Sequence, residues 1–159
     1  MEAGKTVVPM RALTYIKSAF PGQIFKTSFA YLFHAFWTLH RVPNSVAVLE
    51  AILCEIPAGF ILGSKSTPPS SEPKLLTREQ VRQILAGASA ADTKNALKAR
   101  VDEALARGAF GAPWIWATDE KGTSEPFFGS DRWHCVYDFL DVPYQKIELL
   151  PPKQQKASL

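Results

Sequence analysis

Two residues near the C-terminus, Ser130 and Asp131 in "FFGSDRW", have types and placement suited to a small charged ligand. The spacing of Trp133, Val136, Tyr137 and Leu140 predicts a closing helix through "GSDRWHCVYDFL". Ser130 and Asp131 then stand at its start, where unpaired N–H groups and the positive end of the dipole attract a carboxylate. Asp131 adds a negative charge that suits an ammonium group. Together the pair matches the zwitterionic end of an amino acid. The same residue types fit a plainer role, with Ser130 as an N-cap and Asp131 as a dipole partner. Residue chemistry alone leaves the two readings side by side.

The other chemistry-bearing residues point to less. His34, His40 and His134 have no ligand spacing with a partner carboxylate, so no metal is expected. His34 lies inside an apolar helical stretch and reads as a packing residue, while His134 falls close to the Ser130 region. Cys54 and Cys135 are far apart and form no CxxC, which predicts reduced, buried and inert thiols in an intracellular protein. The 18 basic and 15 acidic residues give a net charge of +3 spread thinly along the chain, which argues against nucleic acid as a partner. "MEAGKTVVPM" has no signal pattern, and no apolar run reaches the roughly 18–20 residues of a membrane span. At 159 residues, 47% hydrophobic and 21% charged, the chain is about one globular domain long.

Helices must position these residues. Apolar spacing predicts one from Pro9 to Phe20, with Met10, Leu13 and Ile16 on one side and the proline at its first position. Ile24, Phe25, Phe29, Leu32, Phe33, Phe36 and Trp37 recur at three- and four-residue spacing and predict a second, core-facing helix from Gln23 to Thr38. Asn44 or Ser45 caps a third, with Val46, Leu49, Ile52 and Leu53 inward. "GSKSTPPSSEPK" (loop 63–75) reads as a surface loop. Thr77 with Gln80 is a capping-box pattern for a fourth helix that buries Val81, Ile84 and Leu85. A fifth runs from Asp92 to Arg107, buries Leu97, Val101 and Leu105, and stops on Gly108. After Gly108 the period changes to two. Trp114 to Thr118 and "EPFF" read as short strands joined by "DEKGTS".

The expected fold is therefore mainly α with a small antiparallel β-hairpin. A helix, a Gly-X-Pro corner, a hairpin and a final helix resemble the C-terminal half of a thioredoxin-like α/β fold. In that fold the proline at the strand head is usually cis, and it turns the preceding backbone toward an extended peptide ligand. Cis occurs in only about 5–6% of X-Pro bonds generally. Here Pro113 would be the cis residue and Ala112 the one that pairs with the ligand.

"RGAFGAP", a strand and turn, then "FFGSDR" is similar to the C-terminal part of the kappa-class glutathione transferases. These are relatives of the 2-hydroxychromene-2-carboxylate isomerases in the DsbA-like thioredoxin superfamily. "PMRALTYIKSAFP", "FAYLFHAFW" and "TREQVRQIL" resemble helices of that family's inserted helical domain. The resemblance implies a helical domain over 8–107, a strand-strand-helix part over 108–144 and a tail over 145–159. It implies glutathione as co-substrate, bound by Ala112 and Pro113 at its cysteinyl part and by Ser130 and Asp131 at its γ-glutamyl end. It further implies a small-molecule electrophile and a homodimer. The family's N-terminal strand, with the serine that stabilises the glutathione thiolate, finds no match here, which implies a truncated chain and an impaired transferase. A non-catalytic interaction module, an oxidoreductase and an isomerase are the alternatives. The C-terminal "ASL" is similar to a peroxisomal address without its basic middle residue, and relatives occur in peroxisomes and mitochondria.

Overall fold

The computed structural model describes residues 6–63 and 73–145. Most of the loop expected over 63–75, nearly all of the tail, "ASL" and the first five residues lie outside the described residues. The chain forms two compact units, Met1–Glu103 and Ala104–Leu159.

The first unit is helical. Helix α1 (Val7–Ala19) begins two residues before Pro9, which falls in the first turn, where its missing N–H leaves no bond unmade. It ends before Pro21, whose ring disfavours helical backbone at Phe20; that residue is extended, with φ −125° and ψ 158°. Helix α2 spans Gly22–Trp37, and α3 spans Val46–Glu55 with the Ser45 hydroxyl accepting from the Val48 N–H. Helix α4 (Arg78–Ser89) opens on the expected capping box. The Gln80 N–H donates to Thr77 Oγ1 at 3.2 Å, and the Thr77 N–H to Gln80 Oε1 at 2.8 Å. Helix α5 covers Ala91–Ala106.

The core joins Ala12, Leu13 and Ile16 of α1 to Leu49, Ile52 and Leu53 of α3 and Val81 and Ile84 of α4. Arg41 ties the entry of α3 to its end through a two-bond contact with Glu55. Backbone bonds from Ala58 N–H to the Pro73 carbonyl and from Leu75 N–H to the Ile56 carbonyl, both 2.8 Å, clamp the two ends of the loop.

Three sequence expectations need correction. Helix α2 buries Leu32 of the expected stripe, with Ile24 and Phe25 packed against the core, but its buried line runs through Thr27, Ser28, Tyr31 and Ala35, while Phe29, Phe33 and Trp37 are 42%, 47% and 67% exposed. Helix α5 buries only Thr93, with Val101 and Leu105 exposed and Leu97 half-buried. Met10 and Val46 are likewise exposed.

The second unit is a hairpin and a short helix. Strand β1 (Trp114–Thr118) pairs antiparallel with β2 (Ser124–Phe128), opposing Trp114 to Phe128 and Thr118 to Ser124. Helix α6 runs over Trp133–Phe139. The described residues are thus mainly helical with one small antiparallel sheet.

Candidate functional site

The site forms at the open end of the hairpin, and the closed end fixes its register. Asp119 Oδ1 accepts from the N–H groups of Lys121 and Thr123 at 2.9 and 2.8 Å, a local bond typical of aspartate in turns. Gly122 takes φ +83°, which glycine adopts without a Cβ clash. With the turn set, Ile115 faces Phe127 across the ladder, and Phe127 meets Phe139 of α6 at 5.7 Å between ring centroids. Ala117 and Val136 are the buried apolar residues among the described residues of this unit.

Helix α5 ends on Gly108 at φ +86°, whose N–H donates to the Leu105 carbonyl at 2.9 Å. The chain then turns through Phe110 and Gly111. A Cβ on Gly111 would lie 2.7 Å from Cε2 of Phe128, so the backbone comes this near the ring only as glycine. Phe110 meets Phe128 at 4.6 Å and Trp114 at 5.6 Å, placing an aromatic cluster beside the corner. The Trp114 indole Nε1 within it is buried with no hydrogen-bond partner among the described residues. The Ala112–Pro113 peptide is cis, the isomer read for it from the sequence.

One bond brings the separate halves together. The Gly129 N–H donates to the Pro113 carbonyl at 3.1 Å. It sets the Ala112–Pro113 corner beside the turn that carries Ser130 and Asp131. Ala112, Ser130 and Asp131 are all exposed. Neither Ala112 nor Ser130 makes a hydrogen bond among the described residues. The Asp131 carboxylate lies 3.7 Å from Arg132 Nε, a loose and exposed pair of little energetic weight.

The position of Ser130 and Asp131 differs from the sequence reading. Helix α6 begins at Trp133, with Arg132 at the cap and no side-chain cap bond. Gly129, at φ +106°, follows the strand in a conformation that favours glycine, and Ser130 and Asp131 lie in the turn between it and the Arg132 cap. Asp131 folds back over it, and a Cβ on Gly129 would meet Oδ1 at 2.5 Å. Neither the N-cap role nor the dipole role applies, and α6 turns inward through Val136 while Trp133 is 48% exposed.

Sequence reasoning gave little weight to one neighbouring contact: Cys135 Sγ lies 3.2 Å from His134 Nε2, with the thiol half-buried. Adjacent residues on a helix ordinarily point apart, so only the rotamers bring these two together. Nearby, Tyr144 donates to Asp138 Oδ2 at 3.3 Å. Burial of the phenol, then the Asp138 charge and its hydrogen bond, raise the Tyr144 hydroxyl above the ordinary tyrosine range. Among the described residues no group of three His, Cys, Asp or Glu side chains is placed to hold a metal ion, and no helix is long and apolar enough to cross a membrane.

Fold and site define a mainly helical protein in which a hairpin presents an exposed backbone corner next to a hydroxyl and a carboxylate. No protein-family model matches the chain. Part of it is similar to glutathione S-transferase kappa 2 of Caenorhabditis elegans, 40% identical over 68 residues, which is 42% of this chain and 30% of the relative. Part is similar to glutathione S-transferase kappa 1 of the same organism, 51% identical over 35 residues, 22% of this chain and 16% of the relative. The matched stretches therefore span less than a third of either curated relative. The similarity to the kappa-class glutathione transferases, partial along the chain, agrees with the resemblance read from "GAFGAP" and "FGSDR".

Proposed function

We propose that this chain binds glutathione at the open end of the hairpin, as the glutathione-holding part of a kappa-class transferase. The observation that carries the reading is the Gly129–Pro113 bond, which sets two exposed polar stretches side by side. The Ala112 backbone, exposed and unbonded, pairs with the cysteinyl part of glutathione through its N–H and carbonyl groups. The Ser130 hydroxyl donates to the γ-glutamyl carboxylate, and Asp131 accepts from the ammonium group. The Phe110, Trp114 and Phe128 cluster offers apolar surface beside the thiol. In this reading, residues 8–107 are the helical domain and 108–144 the strand-strand-helix part that holds the ligand. Conjugation of the thiol to an electrophile is the reaction the family name implies.

The residues gathered here bind rather than activate. A thiol is nucleophilic as the thiolate, and stabilising that anion takes a donor or a positive charge at the sulfur. Ala112 and Pro113 offer no such side chain, and Ser130 and Asp131 are engaged with the other end of the ligand. The chain alone therefore binds glutathione and conjugates it slowly. Titrating glutathione while following backbone amide resonances tests the placement. The Ala112, Gly129 and Ser130 amides should shift together and saturate with one affinity. Shifts confined to other segments would remove the site from this corner.

A further inference from the structure

The helical unit carries a second recess that the glutathione reading does not use. It is a groove of about 410 Å³ lined by α1, α2 and α5, within the usual size range of small-molecule sites. Its apolar lining includes Met10, Leu13, Phe25, Phe29 and Leu97. Leu13 is buried at 7% exposure, while Met10 and Phe29 are each 42% exposed, so the walls stand open to solvent. Phe29 of α2 and Leu97 of α5 line this recess and are absent from the core cluster.

Two cations line this apolar surface; its lining includes no carboxylate, and the Glu103 carboxylate reaches its edge only as the partner of Arg100. Lys17 Nζ lies 5.7 Å from the centre of the Phe25 ring, which holds its charge over the aromatic wall. Arg100 lines the groove from α5, and its one bond, Nη1 to Glu103 Oε2 at 2.9 Å, engages part of a five-donor fork. An apolar recess with positive charge from two of its helices complements a molecule with an aliphatic body and a single anionic head.

We propose that this groove binds a free medium-chain aliphatic carboxylate, its chain against Leu13, Phe25, Phe29 and Leu97 and its carboxylate between Lys17 and Arg100. None of the lining residues belongs to the hairpin corner, so the proposal stands or falls independently of glutathione binding. Both cations are solvent-exposed, and their contribution is therefore modest and screened by salt.

Calorimetric titration of decanoate and of 1-decanol into the full chain at low salt tests it. Decanoate should bind at one per chain and more tightly than decanol. Lys17→Met and Arg100→Met should each weaken decanoate about three- to tenfold and leave decanol unchanged. Raising the salt should reproduce that selective loss. Ala96→Trp, which fills the groove from an exposed position on α5, should abolish binding of both while circular dichroism stays that of the wild type. Equal affinity for decanoate and decanol, wild-type affinity in the two methionine variants, or decanoate binding that survives Ala96→Trp would each overturn the assignment. If Ala96→Trp loses helix signal, the two methionine variants, altered only at exposed side chains, still decide the matter.

Discussion

Gly87 lies where α4 crosses α1, and replacing it with alanine sets two known effects against each other. Helix propensity alone makes Gly87→Ala stabilising by about 1 kcal/mol, because glycine loses more backbone freedom in a helix. The structure predicts the opposite sign. A Cβ at this position would fall 2.3 to 2.4 Å from three atoms of the Tyr15 ring. Ordinary carbon contacts begin near about 3.5 Å, so the ring must retreat by about 1 Å. Tyr15 has little room to do so: its ring meets Phe20 edge-on at 6.3 Å, and its hydroxyl accepts from Gln83 Nε2 at 3.3 Å. Overpacking of this kind costs about 1–3 kcal/mol, and three simultaneous contacts place Gly87→Ala toward the upper end. Subtracting the propensity gain leaves a net loss of about 1–2 kcal/mol. Urea unfolding followed by helical ellipticity reads mainly the first unit and gives the midpoint directly. Tyr15→Leu in the same background should recover much of the loss. A midpoint raised by Gly87→Ala would refute the α1–α4 packing from which this sign is derived.

Two further outcomes follow from the same unit. Thr77→Ala removes the hydroxyl half of the capping box and should lower stability by about 1 kcal/mol, read from the shift in urea midpoint at constant slope. Tyr31 ionises above its ordinary value because of burial first and the Glu55 charge second, offset in part by Arg41. The unfolded chain then loses that proton first, so stability is full below about pH 10 and falls as pH rises through the folded value. The melting temperature of the wild type should decline more steeply above pH 10 than that of Tyr31→Phe, and parallel declines would contradict the assignment.

Local signals were legible in the sequence where one residue type decides the geometry. Ser45 and Thr77 with Gln80 mark helix starts, Gly108 a helix stop, and the Asp119 to Gly122 stretch the hairpin turn; each is held by bonds the side chain or its φ makes locally. The choice of buried face was not legible. In α2 the line Thr27, Ser28, Tyr31, Leu32 and Ala35 has the same helical period as the aromatic line, so spacing reveals a helix without saying which line faces inward. Packing against the neighbouring helices decides that, and spacing within one helix does not register it. Helix α5 shows the same limit, since Val101 and Leu105 have core periodicity and no core opposite them. At the candidate site, residue types and neighbourhood were readable, but the start of α6 was placed too early. The left-handed Gly129 spends Ser130 and Asp131 on a turn, and nothing in the apolar spacing registers that.

That shift sharpens the test of the glutathione site. With α6 starting at Trp133, Asp131 has no dipole role, so Asp131→Asn should change stability by less than about 0.5 kcal/mol, as for surface substitutions generally. If Asp131 accepts the γ-glutamyl ammonium, the substitution removes a charge-assisted bond. At this exposure that bond falls at the low end of about 1.5–3 kcal/mol, or roughly tenfold in affinity. Ser130→Gly deletes the hydroxyl in a turn and should weaken binding less. Calorimetric titration of glutathione into wild type, Asp131→Asn and Ser130→Gly, with unfolding midpoints measured alongside, makes the comparison. The account predicts weakened binding in both variants, about tenfold for Asp131→Asn, at nearly constant stability; wild-type affinity in both would contradict it.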